Sequence, residues 1–323
     1  MSRKLLFVFF GFVLLAGCTP AQPESSEKDD QQTYLFLGHT YDWLYEDRID
    51  PRLEVIDYSQ FSGVWLGGDI CARTTKSEHT LAYLDSIFDL RSVNTLWTWG
   101  NHDLLEGDAT LLEEATGRPG YYTHYDNGLL VVVLNTNLFW HHPWAPPAEQ
   151  CAEKAAHYAW LNAVLDTVAV ASHVVLLHHH GLLNELKVRG GDTLALGNVD
   201  AIPVRPLCDS VRSFTTELYP KLVVLQEAGR EVILISGDVG MKSKGYHFTT
   251  PEGILLLGSG INNSLDMNYP PEYVTNFNPD SLLQLQYQPS QRTFSWSFIS
   301  LSDFFQASDP SHNARLQHLI SSF

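Results

Sequence analysis

An α/β architecture with two mixed β-sheets flanked by helices is what this chain's apolar pattern calls for. Short apolar runs at residues 34–37, 63–66, 129–134, 174–177 and 232–235 have the length of buried strands. Helical periodicity fills the intervals, most clearly over residues 77–90 and 153–168. Past Gly253 the pattern turns to strands, ending with residues 282–288 and 293–300. Strands interleaved with helices, then followed by further strands, predict a two-sheet core with helices outside.

The first 17 residues read as a signal peptide rather than as part of the fold. Arg3 and Lys4 form a basic start, residues 5–15 an apolar core, and Leu15-Ala16-Gly17-Cys18 resembles a bacterial lipobox. That motif implies lipidation at Cys18. The rival, a transmembrane anchor, is disfavoured because the apolar run is short for a bilayer. Thr19 in place of Asp points to the outer membrane, or to the cell surface or periplasm, with membrane attachment through the lipid only. Residues 18–33 hold Pro20, Pro23, Ser25, Ser26 and Glu27-Lys28-Asp29-Asp30, too polar to order themselves, and predict a disordered tether.

Residues 34–323 are long enough for one large domain. In the helix expected over residues 77–90, Leu81, Leu84, Ile87 and Phe88 share a face, with Ser77 and Glu78 suited to its start. Asp126-Asn127-Gly128 between two apolar-aromatic runs predicts a β-hairpin. The second helix carries Trp160, Leu161, Val164 and Leu165. Residues 184–209 are Gly-rich and irregular and predict an excursion over a site, as a lid or a specificity loop. The formal charge is −17, and loss of Arg3 and Lys4 with the signal makes it two units more negative. Such a surface repels polyanions, so nucleic acid is excluded as a partner, while a local metal site still attracts small phosphates. Three cysteines remain besides Cys18, and in an oxidising compartment Cys151–Cys208 is the favoured pair, leaving Cys71 over.

The chemistry lies where the apolar runs stop. Gly100-Asn101-His102-Asp103 follows one, Gly67-Gly68-Asp69 another, and Gly237-Asp238, His178-His179-His180-Gly181 and Gly38-His39-Thr40-Tyr41 three more. Strand ends of an open α/β sheet share one edge, where ligand sites form. Five metal-capable ends therefore predict one site.

These motifs resemble the calcineurin-like metallophosphoesterase superfamily, whose pattern runs Asp-x-His, Gly-Asp, Gly-Asn-His-Asp/Glu, a His after a strand, and Gly-His-x-His. The resemblance covers residues 34–260 and implies a four-layer metallophosphoesterase-like sandwich. It implies that Asp69 bridges two metal ions, that Asn101 ligates the second, and that His102 acts on the leaving group as a general acid. It also implies that Asp103 orients the His102 imidazole and that His178 is a further ligand, with His179 its rival.

Two motifs depart from the family. His39-Thr40-Tyr41 fills the Asp-x-His slot, and Gly237-Asp238-Val239-Gly240 fills Gly-His-x-His. Asp238 is expected to replace a lost imidazole, giving the second ion Asp69, Asn101, His178 and Asp238. The first ion keeps Asp69, His39 and Tyr41, unless Tyr41 is an aromatic packed beneath the site. The expected cofactor is one or two divalent ions, Mn, Mg, Fe or Zn, with hard or borderline ions such as Mn²⁺ or Mg²⁺ favoured at the oxygen-rich second position. His141 and His142 are possible entrance residues, and Lys242 and Lys244 possible phosphate neighbours; His124 and His247 read as surface or core residues.

The expected function is metal-dependent hydrolysis of phosphate esters, with a small phosphorylated substrate. The alternative is a degenerate member of the fold that binds a metal or ligand without catalysis.

Overall fold

Parallel pairing of three short strands starts the first sheet. β1 (Gln32–Leu37), β2 (Gly63–Leu66) and β3 (Thr95–Trp97) lie side by side, and β10 (Ser281–Gln288) and β11 (Thr293–Ser300) add antiparallel on the β1 side. The second sheet runs β4-β5-β6-β7-β9-β8, from β4 (Tyr122–Asp126), β5 (Leu129–Val133), β6 (His173–His178), β7 (Glu231–Ser236), β8 (Gly245–Thr249) and β9 (Leu255–Ser259). Its four central strands are parallel and its edge strands β4 and β8 antiparallel. The computed structural model describes residues 30–42, 45–105, 107–139, 146–183, 208, 214–238, 245–261 and 280–307. Cys18, His141, His142, Lys242, Lys244 and, apart from Cys208, the 184–209 segment lie outside the described residues.

The apolar runs are continuous because both faces of each sheet are covered. Strand alternation sends Tyr34, Phe36, Trp65, Val131, Val133, Val175, Leu177, Ile233 and Ile235 into a core between the sheets. Leu35, Leu37, Leu66 and Trp97 face the other way, onto α1 (Glu78–Phe88) and α2 (Ala109–Thr116). Val132, Val174, Leu176, Val232 and Leu234 face Leu161 and Leu165 of α3 (Ala148–Asp166). Phe214 from α4 (Phe214–Glu217) and Leu222 and Leu225 from α5 (Tyr219–Glu227) complete that layer. The α/β reading with two mixed sheets and outer helices holds.

Local expectations hold closely. The Ser77 side chain caps α1 by accepting from His79 N, and Asp126-Asn127-Gly128 turns the β4–β5 hairpin with positive φ at Asn127 and Gly128. Strand β1 begins at Gln32, paired with Tyr287, so the last residues of the expected tether belong to the sheet. The Gln32 amide donates to Asp126 Oδ2 at 2.6 Å, which supplies the partner a free tether would lack. Helix α3 starts at Ala148, earlier than its apolar periodicity suggests, directly after Pro147 at the N-cap. Cys151 in α3 is bonded to Cys208, and Cys71 is free and buried.

One core group has no polar partner. His157 on α3 stacks on Tyr121 with ring centres 3.9 Å apart and lies 4.6 Å from Phe139, and neither ring nitrogen has a hydrogen-bond partner among the described residues. Burial pulls its pKa down to about 3. The unfolded chain takes up this proton near pH 6.5, about three units above the folded one, so stability falls as pH drops through that window. Urea unfolding between pH 7 and pH 4 should show a loss of up to about 1.4 kcal/mol per pH unit from this residue. In His157→Phe that slope should be shallower; an unchanged slope would refute the assignment.

Candidate functional site

Backbone, not side chains, brings the two sheets together at the ends of β1, β2 and β7. A Cβ on Gly237 would sit 1.7 Å from Gly67 O, and one on Gly38 2.4 Å from Ser259 O. Only glycine permits that approach. It is what lets turns from the first sheet meet turns from the second.

Asp69 follows β2 and is the centre of the site. It holds φ at 53°, and His39, after β1, holds 54°, a region costly for residues with a Cβ. Hydrogen bonds overdetermine both turns: His39 N donates to Gly68 O, Thr40 N to Asp69 O, and Asp69 N to Asp103 Oδ2. The Asp69 carboxylate is buried; Oδ1 accepts from His102 N at 2.8 Å, and Oδ2 lies 3.3 Å from His179 Nε2 and 3.6 Å from His39 Nε2.

The charges here are mutually dependent. Burial works against a charged His179, but the nearby Asp69 carboxylate, with Asp238 behind it, raises its pKa to about 10. Burial likewise opposes ionisation of Asp69, yet His179, His39 and His102 hold its pKa well below the usual carboxylate range. Imidazolium and carboxylate are thus paired at neutral pH.

Strand parity decides which histidine of the run enters the site. His178 continues the face of Val174 and Leu176 and points outward, its Nδ1 donating to His180 O at 2.8 Å. Among the described residues its Nε2 is buried without a partner, beside a pocket lined by Leu182, Leu183, Leu234 and Leu256. Burial lowers its pKa to about 4. His179 continues the face of Val175 and Leu177, toward the first sheet and Asp69. The geometry therefore favours the rival His179 over His178. The signal was present in the sequence: β6 alternates with period two, and the inward-facing set ends on His179.

Asp103 has a different task from the one the resemblance implied. Its Oδ1 accepts from Ile70 N and Thr74 Oγ1, and its Oδ2 from Asp69 N, Gly100 N and Trp97 Nε1. Burial and the Asp69 charge push its pKa up to about 6, against the pull of those donors. The His102 imidazole is held instead by the Ala72 carbonyl, 3.0 Å from Nδ1. Asp103 ties the Asp69 turn to the Asn101 turn.

The remaining residues take clear places. Tyr41 is buried with its ring centre 4.5 Å from that of His39 and 5.1 Å from that of His102, an aromatic shared by two imidazoles. Asn101 Oδ1 lies 3.2 Å from His180 Nε2. Asp238 N donates to His179 O at 3.0 Å. Thr136, Asn137 and Ala72 were not singled out in the sequence, and His180 only as a member of the histidine run; Asn137 bonds the Trp99 and Gly100 carbonyls and so fixes the turn that carries Asn101.

Ligand atoms around a tetrahedral ion at about 2.0–2.1 Å stand roughly 3.3–3.4 Å apart. His39 and His179 each make a pair of about that spacing with Asp69, and the buried His179 Nε2 has no well-aligned hydrogen bond. Both pairs share a single carboxylate oxygen, Asp69 Oδ2. Among the described residues no three His, Cys, Asp or Glu side chains are gathered as a ready group.

No family model matches the chain. No curated protein matches it. Among solved structures, it is similar to the anchor protein GAP50 of the inner membrane complex of Plasmodium, with a TM-score of 0.52 at 11% identity over 84% of this chain and 85% of that one. At that identity the likeness concerns the fold.

Two variants test how the site is held. Gly237→Ala should destabilise by about 3 kcal/mol, since a methyl cannot share space with a backbone carbonyl. Asp103→Asn should cost about 3–5 kcal/mol, because its new amide would face N–H and O–H donors on either side. Both are read by urea unfolding, and a loss under about 1 kcal/mol in either would overturn its account.

Proposed function

We propose that this chain is a metal-dependent hydrolase of phosphate esters, a divergent calcineurin-like metallophosphoesterase with that family's four-layer sandwich, tethered to the cell envelope through Cys18. The observation that carries the reading is the meeting of His39, Asp69, Asn101, His102 and His179 at one edge, drawn from turns of both sheets. A divalent ion held by His39, Asp69 and His179 would supply an acidified water for attack on phosphorus. His102 is anchored through Nδ1 to Ala72 O, which leaves Nε2 to carry a proton toward a leaving oxygen. Tyr41 packs against the His39 and His102 rings and limits their tilt.

One observation favours the second reading, a binding protein without catalysis. Asp69 Oδ2 already lies 3.3 Å from His179 Nε2, so a protein side chain stands where an ion would have to bind.

Hydrolysis of an aryl phosphate monoester and diester with Mn²⁺, together with metal content per chain, separates the two. The hydrolase reading expects turnover with about one ion bound, loss of both in Asp69→Ala, and a fall of about 10²–10⁴ in kcat for His102→Ala with the ion retained. Absence of turnover with every divalent metal tried would leave the binding reading.

A further inference from the structure

We infer that Asn101 serves this site as a hydrogen-bond donor to an oxyanion, with its orientation dictated by Thr136 through the tautomer of His180. The inference deepens the proposed function in taking phosphate as the ligand, and it places Asn101 outside the metal set.

The argument begins at a buried hydroxyl. Thr136 is fully buried where a short 3-10 turn, Thr136–Phe139, follows β5, and its Oγ1 accepts from His180 N at 3.0 Å. The same Oγ1 lies 2.9 Å from His180 Nδ1. A buried O–H needs an acceptor, and His180 Nδ1 is the acceptor that faces it. Nδ1 therefore carries the lone pair, and the ring proton sits on Nε2. Were it reversed, Nδ1–H would point at a hydroxyl already accepting from a backbone amide, and the hydroxyl proton would be stranded.

That tautomer fixes Asn101. His180 Nε2–H donates to Asn101 Oδ1 at 3.2 Å, so the carbonyl end of the amide is turned toward His180. The NH₂ end is then left on the other side, half-buried, with no protein acceptor among the described residues. His180 itself does not rotate away. Its carbonyl holds His178 Nδ1 at 2.8 Å, and its ring packs edge-on to His179 at 4.7 Å. The neighbouring His102 N donates to Asp69, which places the Asn101 amide at the edge of the same centre.

Two donor hydrogens on the residue next to His102, whose own amide bonds Asp69, suit a tetrahedral oxyanion, for which an amide N–H is a ready partner. An ion seeking Asn101 as a ligand would have to take Oδ1 from His180 and turn the amide over. His180 and Thr136 are positioning residues; Asn101 touches the ligand.

The test uses the ¹⁵N-labelled chain stripped of metal with a chelator and titrated with inorganic phosphate. Nitrogen shifts should report His180 as the Nε2–H tautomer, and phosphate should move the Asn101 side-chain NH₂ resonances. Asn101→Asp keeps an acceptor for His180 but offers no donor, so phosphate affinity should fall about ten- to hundredfold, the scale of a lost hydrogen bond to a charged group. Metal content should not rise. Thr136→Val, which keeps the shape and removes the hydroxyl, should mix the His180 tautomers and weaken phosphate severalfold. An Nδ1–H tautomer in the parent chain, no phosphate binding, or an Asn101→Asp chain that keeps phosphate affinity and gains an ion would each overturn the inference. Absence of hydrolysis with every metal, alongside Asn101-dependent phosphate binding, would end the hydrolase reading and leave this one standing.

Discussion

The contact between Gly67 and Gly237 governs what the site can be. Each sheet buries both faces, so neither can bend freely toward the other, and side chains on these turns would hold the sheet edges apart. With glycine at both positions the backbones touch, and His179 Nδ1 reaches Gly67 O at 2.8 Å. That bond orients the imidazole so that Nε2 faces Asp69. Without the approach, Asp69 and His179 would belong to two unrelated strand ends, each with a buried polar group lacking a partner.

From that meeting the charge distribution follows. Asp69 is a buried carboxylate whose compensation comes from imidazoles of two different sheets and a backbone amide of a third turn. Asp103 is equally buried but is compensated by five donors that are mostly main chain, and so serves as a rivet. Two aspartates of similar burial thus have different uses. The distinction lies in what neutralises them: chiefly the imidazole of His179 for Asp69, mostly fixed backbone dipoles for Asp103.

Much of the fold was legible in the sequence because both sheet faces are apolar, and their strands announce themselves as runs. The sites of turning were legible too, through the glycines that end those runs. What escaped was the direction of side chains. His178 and His179 differ in role through a parity that must be counted from Val174 onward. The Asp103 network was invisible because its donors are backbone amides at Asp69, Ile70 and Gly100, which every sequence contains. The link between Thr136 and His180 escaped for a third reason: it joins residues 44 apart, through a hydroxyl that resembles any other buried threonine.

The altered motifs have an electrostatic logic when taken together. A centre built for two divalent ions needs several carboxylates to offset their charge. Here His39 stands where the family pattern has an acid, and Asp103 is committed to its donors, leaving Asp69 and Asp238 among three imidazoles. Such a centre has few carboxylates to offset a pair of ions, and one of them, Asp69, already faces the raised-pKa His179. An imidazole rather than a carboxylate at residue 39 adds no negative charge to hold a cation, and in the proposal above the Asn101 amide, turned donor-outward by His180, adds none either.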